Sequence, residues 1–344
     1  MKLIQMFILQ LVIVINIGAQ NTTARFLLWH PSARSISLGG CGVALIDNNF
    51  STFYNPSGLA FSKGINIVSS YGKPYPFFDN TQHLYSTISM PFVFGALGIS
   101  INQIWREPQQ NNLMKLFGND KGVFNPLHWQ VKLSFATLLK HNVAFGLNLN
   151  LLRIKLSKFG AGSEKGLGQS TTALFDFGFL IRNLLTGATL ISEQSQSSAF
   201  LNRFRKRIET KGLAVGLALS NAGQKIMFID GDQKDRPPTM ITLGLAYYPI
   251  VLINSSLLLT IDFEKQVFET SNLDYIHIGN EIGFLNILTF RSGYFLDTDK
   301  PFTSYFSWGA GINLKFISLN FVRYEMSLAP TWHFDASINF GPKS

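Results

Sequence analysis

Apolar and polar residues alternate with a period of two through most of this chain. The last run is the clearest. Trp332, Phe334, Ala336, Ile338 and Phe340 are apolar, and the residues between them, His333, Asp335, Ser337 and Asn339, are polar. Residues 306–316 repeat the pattern, with Ser307, Gly309, Gly311, Asn313 and Lys315 on the second face. So do 130–135, 143–151, 213–220 and 241–248. Further candidate runs are 84–90, 96–102, 173–181, 257–264, 275–283, 289–295 and 317–324. Period two is the signature of strands, and roughly a dozen to fourteen such windows are present.

The second face decides what kind of sheet this is. It holds Gly, Ser, Asn and Thr and few Lys or Glu, so it is not the charged outer face of a soluble sandwich. Hydrophobic residues are 46% of the 344 positions and charged residues only 14%, against about 25% charged in ordinary soluble domains. After residue 17 no apolar run approaches the roughly 20 residues of a membrane-crossing helix. Lipid admits only helices and closed barrels as spanning structures. The expected fold is therefore all-β, a transmembrane antiparallel β-barrel of about 14 strands, apolar outward and small or polar inward. Trp105, Trp129, Tyr247, Tyr248, Trp308 and Trp332 suit the aromatic girdles of such a barrel.

The first residues set the compartment. Met1-Lys2, an apolar stretch over 3–17 and Gly18-Ala19 have the order of a secretory signal peptide. Residues 1–19 are read as that peptide, residues 20–62 as an N-terminal hatch or plug, and 63–344 as the barrel. The expected location is the bacterial outer membrane. The single cysteine, Cys41, sits among glycines and is read as a small packing residue.

Two stretches break the rhythm. Residues 107–127 are long and polar and are read as an external loop. Residues 186–211 hold Arg203, Arg205, Lys206 and Arg207, the densest positive charge in the chain. That cluster suits a short interfacial helix meeting lipopolysaccharide phosphates or a protein partner, or else a solvated loop. The formal net charge is +9, but it is mostly dispersed and the chain is exported, so no nucleic acid is expected as a partner. Residues 231–238 read as a turn between strands.

Chemistry is hard to find. The six histidines are scattered without zinc spacing, and no phosphate loop or nucleophile elbow occurs. Ser70 and Lys73 match S-x-x-K without its companion motifs. Asp262 and Glu264 share one strand face, and Glu281 and Arg291 are placed to share the lumen face of neighbouring strands. These read as lumen charges. No catalytic site, metal or cofactor is expected, and the protein is not read as an enzyme.

Residues 26–61, FLLWHPSARSISLGGCGVALIDNNFSTFYNPSGLAF, resemble the start of the PorV/PorQ family of outer-membrane proteins, relatives of the FadL-type transporters. The matching positions are Ser32-Ala33-Arg34, Gly39-Gly40, Gly42-Val43-Ala44, Asp47 and Asn55-Pro56-Ser57-Gly58. The blocks 212–226 with 236–249, and 277–295 with 308–327, are similar to its later hairpins. The resemblance implies a 14-strand FadL-like barrel whose N-terminal segment folds into or against the lumen as a hatch. The alternative is that 38–61 includes the first strand and its turn. Arg34 is placed to pair with Asp262, Glu264 or Glu281.

Two functions follow. In one, a type IX secretion component binds exported proteins through their C-terminal sorting domains beside a large translocon, using the loops at 107–127 and 186–211. In the other, a FadL-like channel passes hydrophobic small molecules. In either, outer-membrane lipid and lipopolysaccharide surround the barrel. The barrel reading is checked by gel mobility. The purified protein is expected to migrate faster unheated than boiled, and identical mobility together with fractionation as a soluble protein would count against it.

Overall fold

The computed structural model describes residues 23–46, 48–74, 81–106, 109–110, 123–124, 127–155, 169–184, 212–227, 234–251, 255–268, 274–326 and 329–341. The signal-peptide region, Asp47, the Arg203–Arg207 cluster and most of 107–126 lie outside them.

Fourteen strands close into one antiparallel barrel. They are β1 (Ile65–Gly72), β2 (Thr81–Phe92), β3 (Gly95–Arg106), β4 (Leu127–Lys140), β5 (Val143–Lys155), β6 (Gln169–Ile181), β7 (Leu213–Gly223), β8 (Met240–Val251), β9 (Ser255–Gln266), β10 (Tyr275–Phe284), β11 (Leu288–Asp297), β12 (Tyr305–Asn313), β13 (Ile317–Met326) and β14 (Ala329–Phe340). Each pairs with its sequence neighbours. β1 closes the ring on β14, from Ile65 opposite Phe340 to Gly72 opposite His333. Two short ribbons, Gln109–Gln110 with Val123–Phe124 and Ile226–Met227 with Lys234–Asp235, lie outside the ring.

Alternation in sequence becomes alternation in burial. Along β5, Ala144, Gly146, Asn148, Asn150 and Leu152 are buried, while Leu147, Leu149 and Leu151 are exposed. Exposed Leu, Ile and Phe recur on every flank of the barrel, an apolar belt that only lipid covers favourably.

Two readings of the pattern change. The fourteenth strand is β1, which the alternating set lacks. Its outer face carries Ser69 among Ile65, Ile67 and Tyr71, which weakens the contrast between its faces. The run 306–316 is not one strand. β12 stops at Asn313, and Leu314, Lys315 and Phe316 form the turn to β13.

The two barrel ends differ. At one, the connections are short apart from 182–212: Val93-Phe94, His141-Asn142, 252–254, Leu285 to Ile287, and Leu314 to Phe316. The other carries 73–80, 107–126, 156–168, 224–239, 267–274, 298–304 and the brief 327–328. Short turns belong to the periplasmic side and long loops to the outside. The segments 107–127 and 186–211 therefore leave the barrel from opposite ends, the second from the short-turn end between Leu184 and Gly212. They do not flank one surface, as the sequence reading had assumed.

Residues 23–62 contribute no strand. They run down the inside of the barrel as α1 (Ala33–Ser37), α2 (Ser51–Tyr54) and two 3-10 turns, Arg25–Leu28 and Pro56–Phe61. Thr23 N–H donates to the Arg236 carbonyl (3.1 Å) near the loop end, and the segment joins β1 at the turn end. Inward glycines admit its backbone. A methyl group at Gly279 would sit 2.6 Å from the Leu38 carbonyl oxygen, and one at Gly293 would overlap Leu38 and Gly39. Gly39 and Gly40 turn the segment there with φ of 72° and 105°, values that favour glycine.

Gly279→Val is expected to lift the plug from the wall by overpacking, at a cost of about 1–3 kcal/mol. Heat-modifiable migration should persist while Cys41 becomes open to alkylation. Unchanged Cys41 protection would argue that the plug does not lie against this strand.

Candidate functional site: a plug latched to the barrel wall

The plug is held by polar contacts that reach it from many strands. Glu281 on β10 and Arg291 on β11 are direct cross-strand partners. Arg34 of α1 approaches Glu281 with both prongs, Nε to Oε2 at 2.8 Å and Nη2 to Oε1 at 2.9 Å. Arg291 Nε donates to the same Oε2 at 2.5 Å, and its Nη1 and Nη2 donate to Asn320 (2.9 Å) and Thr289 (2.7 Å). Asn320 in turn donates to Asp335 (2.6 Å), whose other oxygen accepts from Ala33 N–H (2.7 Å). Two arginines and two carboxylates thus fix the start of α1. Among the three carboxylates the sequence offered to Arg34, the structure selects Glu281.

Asp262 acts one step further along. Its Oδ2 accepts from Gly42 N–H (2.8 Å) and Val43 N–H (3.0 Å). Glu264, two residues away on the same face, binds His277 Nε2 at 3.1 Å, while His277 Nδ1 faces the Gly39 carbonyl at 2.8 Å. Both ring nitrogens meet acceptors, so the ring donates from both. The two carboxylates hold different partners and do not form an acid/base pair.

The Asn55-Pro56-Ser57-Gly58 motif is the second anchor. Asn55 Nδ2 donates to the carbonyls of Val43 (2.9 Å) in the plug and Phe179 (3.2 Å) in the wall. Its Oδ1 accepts from Ser57 N–H and Oγ, and Pro56 starts the following 3-10 turn. A Cβ on Gly58 would lie 2.6 Å from Ser51 Oγ, which fixes the residue by close approach.

The sequence reading missed a further hub. Asp176 on β6 collects Lys132 (2.8 Å), Asn148 (2.7 Å), Asn150 (2.8 Å) and Asn221 N–H (2.7 Å). It sits at an irregularity where Phe175 opposes Ala222 but Phe177 opposes Leu219. Asn148 also donates to the Thr52 carbonyl of the plug (2.9 Å). Asp176 was legible only as the acid on the inward face of its own strand, between Phe175 and Phe177.

Scattered histidines converge as well. His30 stacks on Tyr54 (5.6 Å between centroids) and meets His277 edge-on at 5.4 Å, and His83 lies 6.0 Å from His333. Among the described residues no group of three or more His, Cys, Asp or Glu side chains could hold a metal.

Between plug and wall remains a cavity of about 40 Å³, lined by His30, Tyr54, Lys132, Asn221, Asp262 and Glu264 among others. Asp262 Oδ1 and His30 Nδ1 are without partners there. One water needs about 10–15 Å³ by this measure, and a benzene-binding cavity is near 150 Å³. The seated plug leaves space for a few waters and no room for an aromatic solute.

No protein-family model matches the chain, and no curated protein matches it. Solved structures do. The Ralstonia pickettii toluene transporter TbuX shares 13% identity at a TM-score of 0.50, over 88% of this chain and 96% of that one. The Pseudomonas putida toluene transporter TodX shares 12% at 0.54, over 89% and 96%. The CymD monoaromatic hydrocarbon channel shares 9% at 0.55, over 91% and 98%. The fold is FadL-like. At such identities the likeness is one of fold, and sequence comparison adds no support for the PorV/PorQ assignment.

Two outcomes test the latch. Arg34→Ala leaves Glu281 with Arg291, so the carboxylate stays paired, and the loss of two hydrogen bonds to a charged group is expected to weaken plug seating by about 1.5–3 kcal/mol. Cys41 alkylation reads this, since burial pushes its thiol pKa well up and shields it while the plug is seated. Equal protection in wild type and variant would contradict the latch. The second outcome concerns acid. Burial, reinforced by neighbouring His277, lowers the His30 pKa from 6.5 to about 4. His30 is therefore neutral when seated and charged when released below pH 6.5. Its contribution is complete above pH 6.5 and declines as pH falls toward about 4. Cys41 labelling, normalised to denatured protein, should rise over that window, and His30→Gln should flatten the rise. An unaltered profile in the variant would assign the effect to another group.

Proposed function

We propose that this protein is a plugged outer-membrane channel for small hydrophobic molecules, taken up from the loop side. The observation that carries this reading is an apolar cluster inside the loop-end mouth. Ile104, Leu152, Ile154 and Leu174 project from β3, β5 and β6, joined by Ile226. Phe26 and Leu27 of the plug fill the space between them, both buried. The rest of the inner wall mixes Gly, Ser, Thr, Asn and charge with further apolar clusters packed on the plug. An apolar site at the outer mouth, occupied by the chain's own side chains, is what a hydrophobic solute would compete for. The fold likeness to toluene and monoaromatic channels over about nine-tenths of both chains supports the same reading. Deeper passage requires plug movement, because the cavity beyond is too small and too polar.

The secretion reading asks the segments 107–127 and 186–211 to form one recognition surface. Their attachment at opposite ends of the barrel weighs against it.

Competition gives the test. Phe26→Ala with Leu27→Ala empties the mouth and raises the fraction of binding-competent protein. Toluene binding to the purified double variant, measured by headspace partition, is expected to be at least tenfold tighter than to wild type. Adding Ile154→Asn should abolish the gain. Toluene retention no greater than that of an unrelated barrel, in every variant, would contradict the proposal.

A further inference from the structure

The short-turn end has a composition of its own. Several of its connections carry exposed apolar residues. Val93 and Phe94 between β2 and β3 are 91% and 76% exposed, and Leu139 at the end of β4 and Leu314 in the turn after β12 are exposed as well. Phe94 meets Phe92 edge-on at 6.4 Å, and Phe92 lies 6.3 Å from Phe135 on the outward face of β4. At the β2–β3 turn the lipid-facing belt therefore continues over the rim to the tip.

Charge at this rim has one sign. Lys140 sits beside Leu139, and Lys315 lies over the Phe316 ring with its Nζ 4.5 Å from the centroid. Arg182 turns instead toward the plug, over the buried Phe61 ring at 4.3 Å. Among the described residues, no Asp or Glu occurs in these turns or within three residues on either side. The loop end, in contrast, mixes Asp235, Asp297, Asp299 and Glu325 with Lys73, Lys155 and Lys300.

We infer that this rim is a docking surface for anionic phospholipid of the leaflet it faces. The turn tips enter the acyl boundary, and the lysines beside them take the headgroup phosphates while their stems lie on apolar surface. Two observations commit the surface to lipid. It is continuous with a belt that already meets acyl chains, and its charge is complementary to phosphodiester headgroups. A water-soluble partner would need these tips held clear of the bilayer, where Val93 and Phe94 would face water whenever the partner left.

The test uses the purified full-length protein. Native mass spectrometry with added phosphatidylglycerol or phosphatidylethanolamine should show preferential retention of phosphatidylglycerol. Lys140→Gln with Lys315→Gln should cut that preference by roughly fivefold for each lysine. A second measurement places a nitroxide at Val93→Cys in a Cys41→Ser background, in phosphatidylglycerol-containing vesicles. Oxygen should reach it better than a water-soluble nickel chelate. Equal retention of the two lipids by wild type, or a preference untouched in the double variant, overturns the inference. So does a nitroxide that the nickel chelate reaches more readily. Protection of that nitroxide only after periplasmic extract is added would reassign the rim to a protein partner.

Discussion

A closed ring of 14 strands encloses more space than its own side chains fill. About eight strands give an interior just wide enough to pack solid. Here the inward set is rich in Gly, Ser and Ala, so the wall alone would leave an open pore. The chain closes that pore with its own residues 23–62, and nearly every other feature of the interior follows from how that segment is held. Inward glycines bring the wall close to plug backbone, and inward carboxylates reach plug N–H groups and Arg34. The polar lumen face, unlike the inner face of a soluble sandwich, is a docking surface for a peptide segment rather than a hydrophobic core.

The attachments are both polar and apolar. Ala33 and Ile36 pack on Val322 and Tyr324, Phe50 and Tyr54 on Val68 and Tyr85, and Leu59 on Ala96 and Ala136, and ion pairs and amide hydrogen bonds fix the plug among these clusters. Buried ion pairs contribute little net stability against apolar replacements, yet losing one partner is costly. Such contacts favour one seated arrangement strongly.

Much of this was legible in the residues. Thirteen of the fourteen strands and their faces follow from alternation, because the period of two maps directly onto the two sides of a barrel wall. β1 escaped because Ser69 interrupts its outer face. The Glu281–Arg291 pair was visible because its members lie on adjacent strands joined by a short turn. Arg34's choice of Glu281 was not, since three carboxylates lay on inward faces and only the path of the plug separates them. The Asp176 hub and the His30–His277 contact join residues far apart in sequence through strand register and plug position, neither of which a local pattern encodes. That 107–127 and 186–211 leave from opposite ends was legible, since three strands, an odd number, separate them in the alternation pattern, and the sequence reading did not draw on it.

The central claim is that residues 23–62 lie inside the closed barrel in one register. Cys41 lies beside Thr260 of β9, whose side chain points inward, while Leu259 next to it points outward and is 45% exposed. The most direct measurement is oxidative cross-linking of the native Cys41 to a cysteine at either position, read on a non-reducing gel after proteolysis between plug and strand. The account requires Thr260→Cys to form the disulfide in the membrane-inserted protein and Leu259→Cys not to. Absence of the link at Thr260→Cys, or equal linking at both positions, would contradict it.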